Sequence, residues 1–239
     1  MLNACPGQPS LRRFATVQDC NMGITPAESL ALDQLQAIRA ELVETEARLD
    51  LGPDGGGSAR LLRILADTGA RISSIRLARR DWVSLRRKAL VQPRGKTGRP
   101  VVVFLGLGLE VVQRQLATLA LCSCEECHDS DWLFPAPRLS EGATSYSGVV
   151  RLLQRVAKRA RLADPDNFTP HDFRHTFATL AHEAGCSIEE IACSLSHSST
   201  ATTRRFYLHS AVSPGARAVH DVLAGLRSAT PVAGRAGVQ

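Results

Sequence analysis

Between Thr169 and His209 the chain gathers the groups needed to hold a phosphate and attack it. His171 and Arg174 are three residues apart, so on a helix they share a face. His197 follows a short helical stretch, Ile188 to Leu195, and a third helix from about Thr202 carries Arg204 and Tyr207. Two imidazoles, a guanidinium and a phenol therefore sit on short helices separated by tight turns. A guanidinium presents a fork of donors to phosphate oxygens, an imidazole moves protons near neutral pH, and an activated phenol is a nucleophile. Tyr207 is one of only two tyrosines, and the other, Tyr146, lies in no such setting.

These groups need elements to position them. Thr169 is placed to cap a helix whose first turn holds Pro170, and Gly185 is placed to end it. The helix before it is read over Thr144 to Arg161, with Val149, Leu152, Leu153 and Val156 inward. Its Arg151, Arg155, Lys158, Arg159 and Arg161 lie on other faces, to be solvated or to meet a polyanion. Earlier, Thr25, Pro26 and Glu28 form a helix start, and the helix runs to about Leu49 with Leu32, Leu35, Ile38, Leu42 and Leu49 at near-helical spacing. Gly52 to Ser58 reads as a long loop inside one domain, and Ala59 to Asp67 as a helix ended by Thr68 and Gly69. Asp81 to Leu90 and Val101 to Leu105 read as strands around a turn, Pro93 to Pro100. Gly108 to Leu121 is an amphipathic helix, and Pro214 to Leu226 a last one. Residues 1–23 read as an irregular tail and 228–239 as a disordered one. The expected fold class is mainly α with a small antiparallel β-sheet.

Composition narrows the partners. The 239 residues are 44% hydrophobic, enough for a real core, and the net charge of +6 favours a polyanion. Of 29 basic residues only Lys88, Lys96 and Lys158 are lysines, so each stands out. Seven cysteines form no paired framework, which suggests reduced thiols and a cytoplasmic protein. Cys122, Cys124, Cys127 and His128 are too crowded for a relaxed tetrahedral metal site, and a surface loop with free thiols is the expectation. No signal peptide or membrane span is expected, nor any metal or cofactor.

The ordered set His171-x-x-Arg174, Leu195-Ser196-His197 and Tyr207-Leu208-His209 resembles the C-terminal signature of the tyrosine recombinases, or phage integrases. Thr68-Gly69-Ala70-Arg71-Ile72-Ser73-Ser74 resembles the same family's arginine box, and Trp132 to Pro135 its apolar Leu-Phe-Pro segment. The family places its tyrosine nine or ten residues after the last histidine. Nine would fall on Phe206, ten falls on Tyr207, and the Tyr-x-His ending favours Tyr207. The resemblance covers about residues 24–210, so the domain is drawn as 24–227. It leaves out the family's separate N-terminal core-binding domain. The chain is then a fragment, a short member or a decayed one.

The resemblance implies a tyrosine recombinase catalytic-domain fold and double-stranded DNA as substrate. It implies that Tyr207 attacks a DNA phosphate to form a 3′-phosphotyrosyl link, without metal or ATP. Arg71 and Arg174 would clamp the non-bridging oxygens, and His197 would add a hydrogen bond. His171 would accept or relay the tyrosine proton, and Lys96 on the hairpin would protonate the leaving 5′ oxygen. Arg94, Thr97, Arg99 and Arg204 are the expected DNA contacts. His175 is expected to pack or support the site rather than to act. Assembly as a tetramer on paired sites is also implied. Two departures bear on efficiency: Ser74 stands where the family has an acidic residue, and Ser196 where it has glycine. They leave two alternatives, a non-catalytic DNA-binding module of the same fold and a type IB topoisomerase-like enzyme that religates one strand.

Overall fold

The computed structural model describes residues 30–49, 56–93, 100–124, 130–136, 142–184 and 186–195. In chain order these form α1 (Leu32–Leu49), α2 (Gly57–Thr68), α3 (Ile72–Arg76) and a 3-10 turn (Arg80–Trp82). Strands β1 (Val83–Ser84), β2 (Ala89–Gln92) and β3 (Val101–Phe104) follow. The rest is helical: α4 (Gly108–Leu121), α5 (Tyr146–Arg159), α6 (Pro170–Glu183) and α7 (Ile188–Ser194).

Two helices make the centre. In α2 every residue but Arg63 is buried, and in α6 burial is unbroken from Phe173 to Ala178. A surface helix buries one stripe; these are covered on nearly all sides. Helices α1, α4, α5 and α6 all pack on α2, and Leu35, Ile38, Leu42, Leu61, Leu65, Phe134, Leu153, Phe173 and Phe177 belong to one core. The inward residues expected on α5, Val149, Leu152, Leu153 and Val156, are buried, and its five basic residues are exposed or lie just beyond its end. Leu133 and Phe134 do anchor the segment before α5.

The sheet is a meander in the order β1-β2-β3, with Gln92 opposite Val101 and Ala89 opposite Phe104. The expected hairpin is therefore present, and Lys96 lies in the connection between its strands. Residues 94–99 are outside the described residues. The expected single strand from Asp81 to Leu90 is instead a 3-10 turn and a second, tighter hairpin. Lys88 adopts φ 52° at its turn, and its carbonyl accepts from the Leu105 amide at 2.8 Å. The Lys88 amide donates to the Leu85 carbonyl at 3.1 Å, closing the turn that folds β1 back on β2.

Two helix starts also differ. Among described residues α1 begins at Leu32, because the Leu30 amide donates to Thr176 Oγ1 of α6 at 2.9 Å and the Ala31 amide to Gln34 Oε1 at 3.0 Å. The start proposed at Thr25 lies outside the described residues. Leu32, expected inward, is exposed. Helix α2 takes in Gly57 and Ser58, which the sequence assigns to a loop; both are buried, and packing outweighs the poor helix propensity of glycine.

Beneath α1 lies an ionic network that periodicity does not reveal. Glu46 is 2% exposed and Arg60 1%. Arg60 Nε lies 3.1 Å from Glu46 Oε1, and Arg63 and Arg114 reach the same carboxylate. Arg60 Nη1 also donates to Gln115 Oε1 at 2.9 Å, while Gln115 Nε2 donates to the Leu133 carbonyl at 2.9 Å. Glu46 falls on the inward side of α1, so several hydrogen bonds offset its desolvation and tie α1, α2 and α4 together.

Candidate active site

The site forms where α2 ends against α6. Thr68 returns its hydroxyl to the Ile64 carbonyl at 2.7 Å, and Gly69 turns left-handed with φ 59°. A Cβ on Gly69 would lie 2.6 Å from Phe177 Cβ, so glycine is required by the backbone angle and by the close approach of α6. The turn delivers Arg71 to the position before α3. Its carbonyl accepts from the Ser74 amide at 2.9 Å, and buried Ile75 pins α3 to the core. The Arg71 side chain is exposed.

Helix α6 presents the second arginine. Thr169 caps it as expected, and Asp172 closes a full capping box by accepting from the Thr169 amide at 2.6 Å. Asp172 was not singled out in the sequence, although Thr-x-x-Asp before an apolar run carries the signal. Its effect is to lock the turn that bears His171. Gly185 is outside the described residues; among them the helix ends at Glu183.

Arg174 is 5% exposed. Its Nη1 donates to the Gly69 carbonyl at 3.1 Å and its Nη2 to the Leu195 carbonyl just after α7. Among the described residues no carboxylate lies within ion-pair distance of it. Burial first, and the charge of Arg71 second, pull its pKa down to about 9. It remains cationic at neutral pH, and the shift reports its burial and the like charge of Arg71 within electrostatic reach. A bound anion would reverse the second effect, which is the electrostatic condition for a phosphate clamp.

The cost falls on stability, and so it can be measured. Arg71→Gln removes the like charge from beside Arg174, and Arg71 is solvent-screened. The variant is expected to unfold at the same or slightly higher denaturant concentration than wild type, a gain of under ~1 kcal/mol. A marked loss of stability in equilibrium unfolding would mean that Arg71 is there to hold the fold.

His171 is exposed one turn before His175, which is buried. The two rings stand edge to face, with centroids 4.3 Å apart and planes at 76°. Of the sequence-predicted set, the structure thus sets Arg71 within electrostatic reach of Arg174 and places His171 on the same helix as Arg174, against the His175 ring. His197, Tyr207 and Arg204, and the hairpin residues Arg94, Lys96, Thr97 and Arg99, lie outside the described residues. Away from this cluster, Arg151, Arg155 and Lys158 of α5 line an open depression of about 510 Å³ with Gly148, Gln154 and Asp166. Lys158 pairs there with Asp166 at 2.7 Å.

Cys122, Cys124 and Cys186 form no disulfide; the sulfurs of Cys122 and Cys124 lie 2.9 Å apart, and Cys186 is buried. Among the described residues no group of His, Cys, Asp and Glu is arranged to hold a metal ion. Nor is any described helix long and apolar enough to cross a membrane.

Comparison with known proteins places this geometry. Residues 29–213 match the profile of the Phage integrase family. The chain is 30% identical over 186 residues to tyrosine recombinase XerD of Mycobacterium leprae (strain TN), covering 76% of this chain and 56% of that protein. It is 27% identical over 158 residues to XerD of Listeria innocua, covering 66% of this chain and 51% of that protein. The chain thus spans about half the length of these relatives. Among solved structures it resembles XerA recombinase, with a TM-score of 0.57, 22% identity, and coverage of 83% of this chain and 63% of that one. It also resembles XerH site-specific recombinase bound to its difH substrate, with a TM-score of 0.58, 19% identity, and coverage of 77% and 50%. At these identities the likeness speaks for the fold.

Proposed function

Since the chain belongs to the phage integrase family, we propose that it cleaves and rejoins DNA at specific sites through a 3′-phosphotyrosyl intermediate. Tyr207 is the nucleophile. Arg71 and Arg174 clamp the non-bridging oxygens and stabilise the charge that builds on them in the transition state. His171 takes or relays the tyrosine proton, His197 adds a hydrogen bond to the phosphate, and Lys96 protonates the leaving 5′ oxygen. Neither metal nor ATP enters, because the covalent link conserves the energy of the broken phosphodiester. A second strand's 5′ hydroxyl then attacks the link, exchanging strands and freeing the tyrosine.

The observation that carries this reading is Arg174, a buried guanidinium held by two backbone carbonyls and influenced by the charge of Arg71 from a distant segment. Among the described residues no carboxylate lies at ion-pair distance from Arg174. A buried cation so placed is ordinarily balanced, and an anionic ligand would balance it. Arg94, Thr97, Arg99 and Arg204 contact the DNA beside the cut, and Arg151 and Arg155 of α5 meet its backbone. Four copies act together on paired sites.

The test is a trapping assay on nicked duplexes, from which the strand end beyond the cut diffuses away. The duplex carries a sequence that the protein has selected from random DNA. A protein–DNA adduct that survives denaturation, with the added nucleotide mapped by mass spectrometry to the peptide containing Tyr207, is the expected result. Binding of the selected duplex with no adduct would overturn the catalytic claim and leave a DNA-binding module. An adduct that only relaxes a supercoiled circle, and never joins two sites, would favour the topoisomerase-like reading.

A further inference from the structure

We propose that Thr68 is a positioning residue for Arg174, acting through the single peptide group that joins Gly69 to Ala70. What this does for cleavage rests on the recombinase reading; the hydrogen bonds do not.

The Gly69 carbonyl, which accepts from Arg174 Nη1 at 3.1 Å, and the Ala70 amide are opposite edges of one planar peptide. The Ala70 amide donates to Thr68 Oγ1 at 3.2 Å. The Thr68 hydroxyl in turn donates to the Ile64 carbonyl at 2.7 Å, so the acceptor is itself tied to the last turn of α2. Thr68 is 4% exposed, which leaves water little access to compete for these bonds.

The turn needs such a hold. Gly69 is required by its φ of 59° and by the approach of Phe177, yet a glycine sets the tilt of the peptide that follows it only loosely. The Gly69 amide donates to the Leu65 carbonyl at 2.9 Å, which fixes the near side of the residue and not the peptide beyond. Left to tilt, that peptide would swing its carbonyl off the buried guanidinium, and Arg174 would turn with it or lose a partner. The Thr68 hydroxyl restores the restraint that glycine lacks. A clamp oriented before the phosphate arrives needs no reorganisation in the transition state.

Two substitutions isolate the hydroxyl. Thr68→Val keeps the branched shape and leaves the Ala70 amide without its acceptor, whereas Thr68→Ser keeps the hydroxyl; Thr68→Ala takes the place of valine if the valine variant does not fold. Single-turnover cleavage of the selected nicked duplex is measured for each, with DNA affinity measured separately. Thr68→Val is expected to cleave about five- to fiftyfold more slowly, the range for one buried donor left unpaired, with affinity within about threefold of wild type. Thr68→Ser is expected to stay within about threefold of the wild-type rate. Ile38→Val, a core truncation on α1, controls for lost stability alone and should cleave like wild type.

Heteronuclear NMR of the DNA-free protein gives a readout independent of cleavage. Held by two carbonyls, the Arg174 guanidinium should rotate slowly and give resolved Nη proton signals, assigned by their loss in Arg174→Lys. They are expected to broaden or vanish in Thr68→Val and to persist in Thr68→Ser and Ile38→Val. A valine variant that cleaves at the wild-type rate would overturn the proposal, as would a serine variant as slow as the valine one. Arg174 signals unchanged in Thr68→Val, or lost equally in Ile38→Val, would also overturn it. If wild type cuts no DNA at all, the recombinase reading falls, and the Arg174 signals alone decide whether Thr68 positions Arg174.

Discussion

Replacing Arg174 with lysine is expected to slow DNA cleavage by about two to three orders of magnitude at pH 8, with less than a tenfold change in DNA affinity. Two effects act in the same direction. The guanidinium spans the Gly69 and Leu195 carbonyls and still has donors left for a phosphate. A single ammonium cannot serve both carbonyls and grip two phosphate oxygens. The second effect is protonation. The burial and the Arg71 charge that bring Arg174 to about 9 would act on an amine that starts near 10.4 and push it towards neutrality. Lowering a base's pKa removes its charge as pH rises, so the variant's rate relative to wild type should recover as pH is lowered from about 8 to about 6. Quench-flow cleavage across that range measures this ratio. A lysine variant within threefold of wild type at pH 8 would rule out Arg174 as a clamp.

Gly69→Ala is the most damaging conservative change that the fold predicts. A side chain at φ 59° is strained by about 1–2 kcal/mol. The new Cβ would also sit 2.6 Å from Phe177 Cβ and Cγ and 3.2 Å from Leu195 Cδ2, an overpacking worth about 1–3 kcal/mol. Together these approach ~4 kcal/mol, a large part of a typical domain's stability. Gly142 supplies the control: its φ is 102°, but no atom lies within 4 Å of a Cβ built there. Gly142→Ala should therefore lose only the backbone part. Equilibrium denaturation of the two variants gives the difference. If Gly69→Ala is as mild as Gly142→Ala, α2 and α6 are not in the close contact described. Because the Gly69 carbonyl also anchors Arg174, any folded Gly69→Ala protein should cleave poorly.

Much of this organisation is legible along the chain. The cap at Thr169, the apolar face of α5 and the hairpin strand Val101–Phe104 are local features, set by hydrogen-bonding side chains, a period near 3.6 and β-branched composition. The readings that failed depended on distant partners. The stretch Asp81 to Leu90 folds back on itself, β1 against β2, and β2 takes its other partner from β3. A hydroxyl of α6 receives the Leu30 amide and sets where α1 begins. Burial against α4 draws Gly57 and Ser58 into a helix.

The site divides in the same way. By itself the sequence determined which residues could do the chemistry: a His-x-x-Arg on one helix, an arginine after a glycine turn, and a lysine in a hairpin connection. Their types and order are written locally. Only the tertiary structure decided that Arg174 is buried within electrostatic reach of Arg71, that it is held by carbonyls 105 and 21 residues away, and that the His175 ring lies against His171. It also decided that Glu46 of α1 and Arg60 of α2 satisfy each other inside the core. Helical periodicity says which face of a helix is inward; it carries no information about what waits there. Desolvation and Coulomb energy depend on those distant neighbours, and local sequence does not encode them.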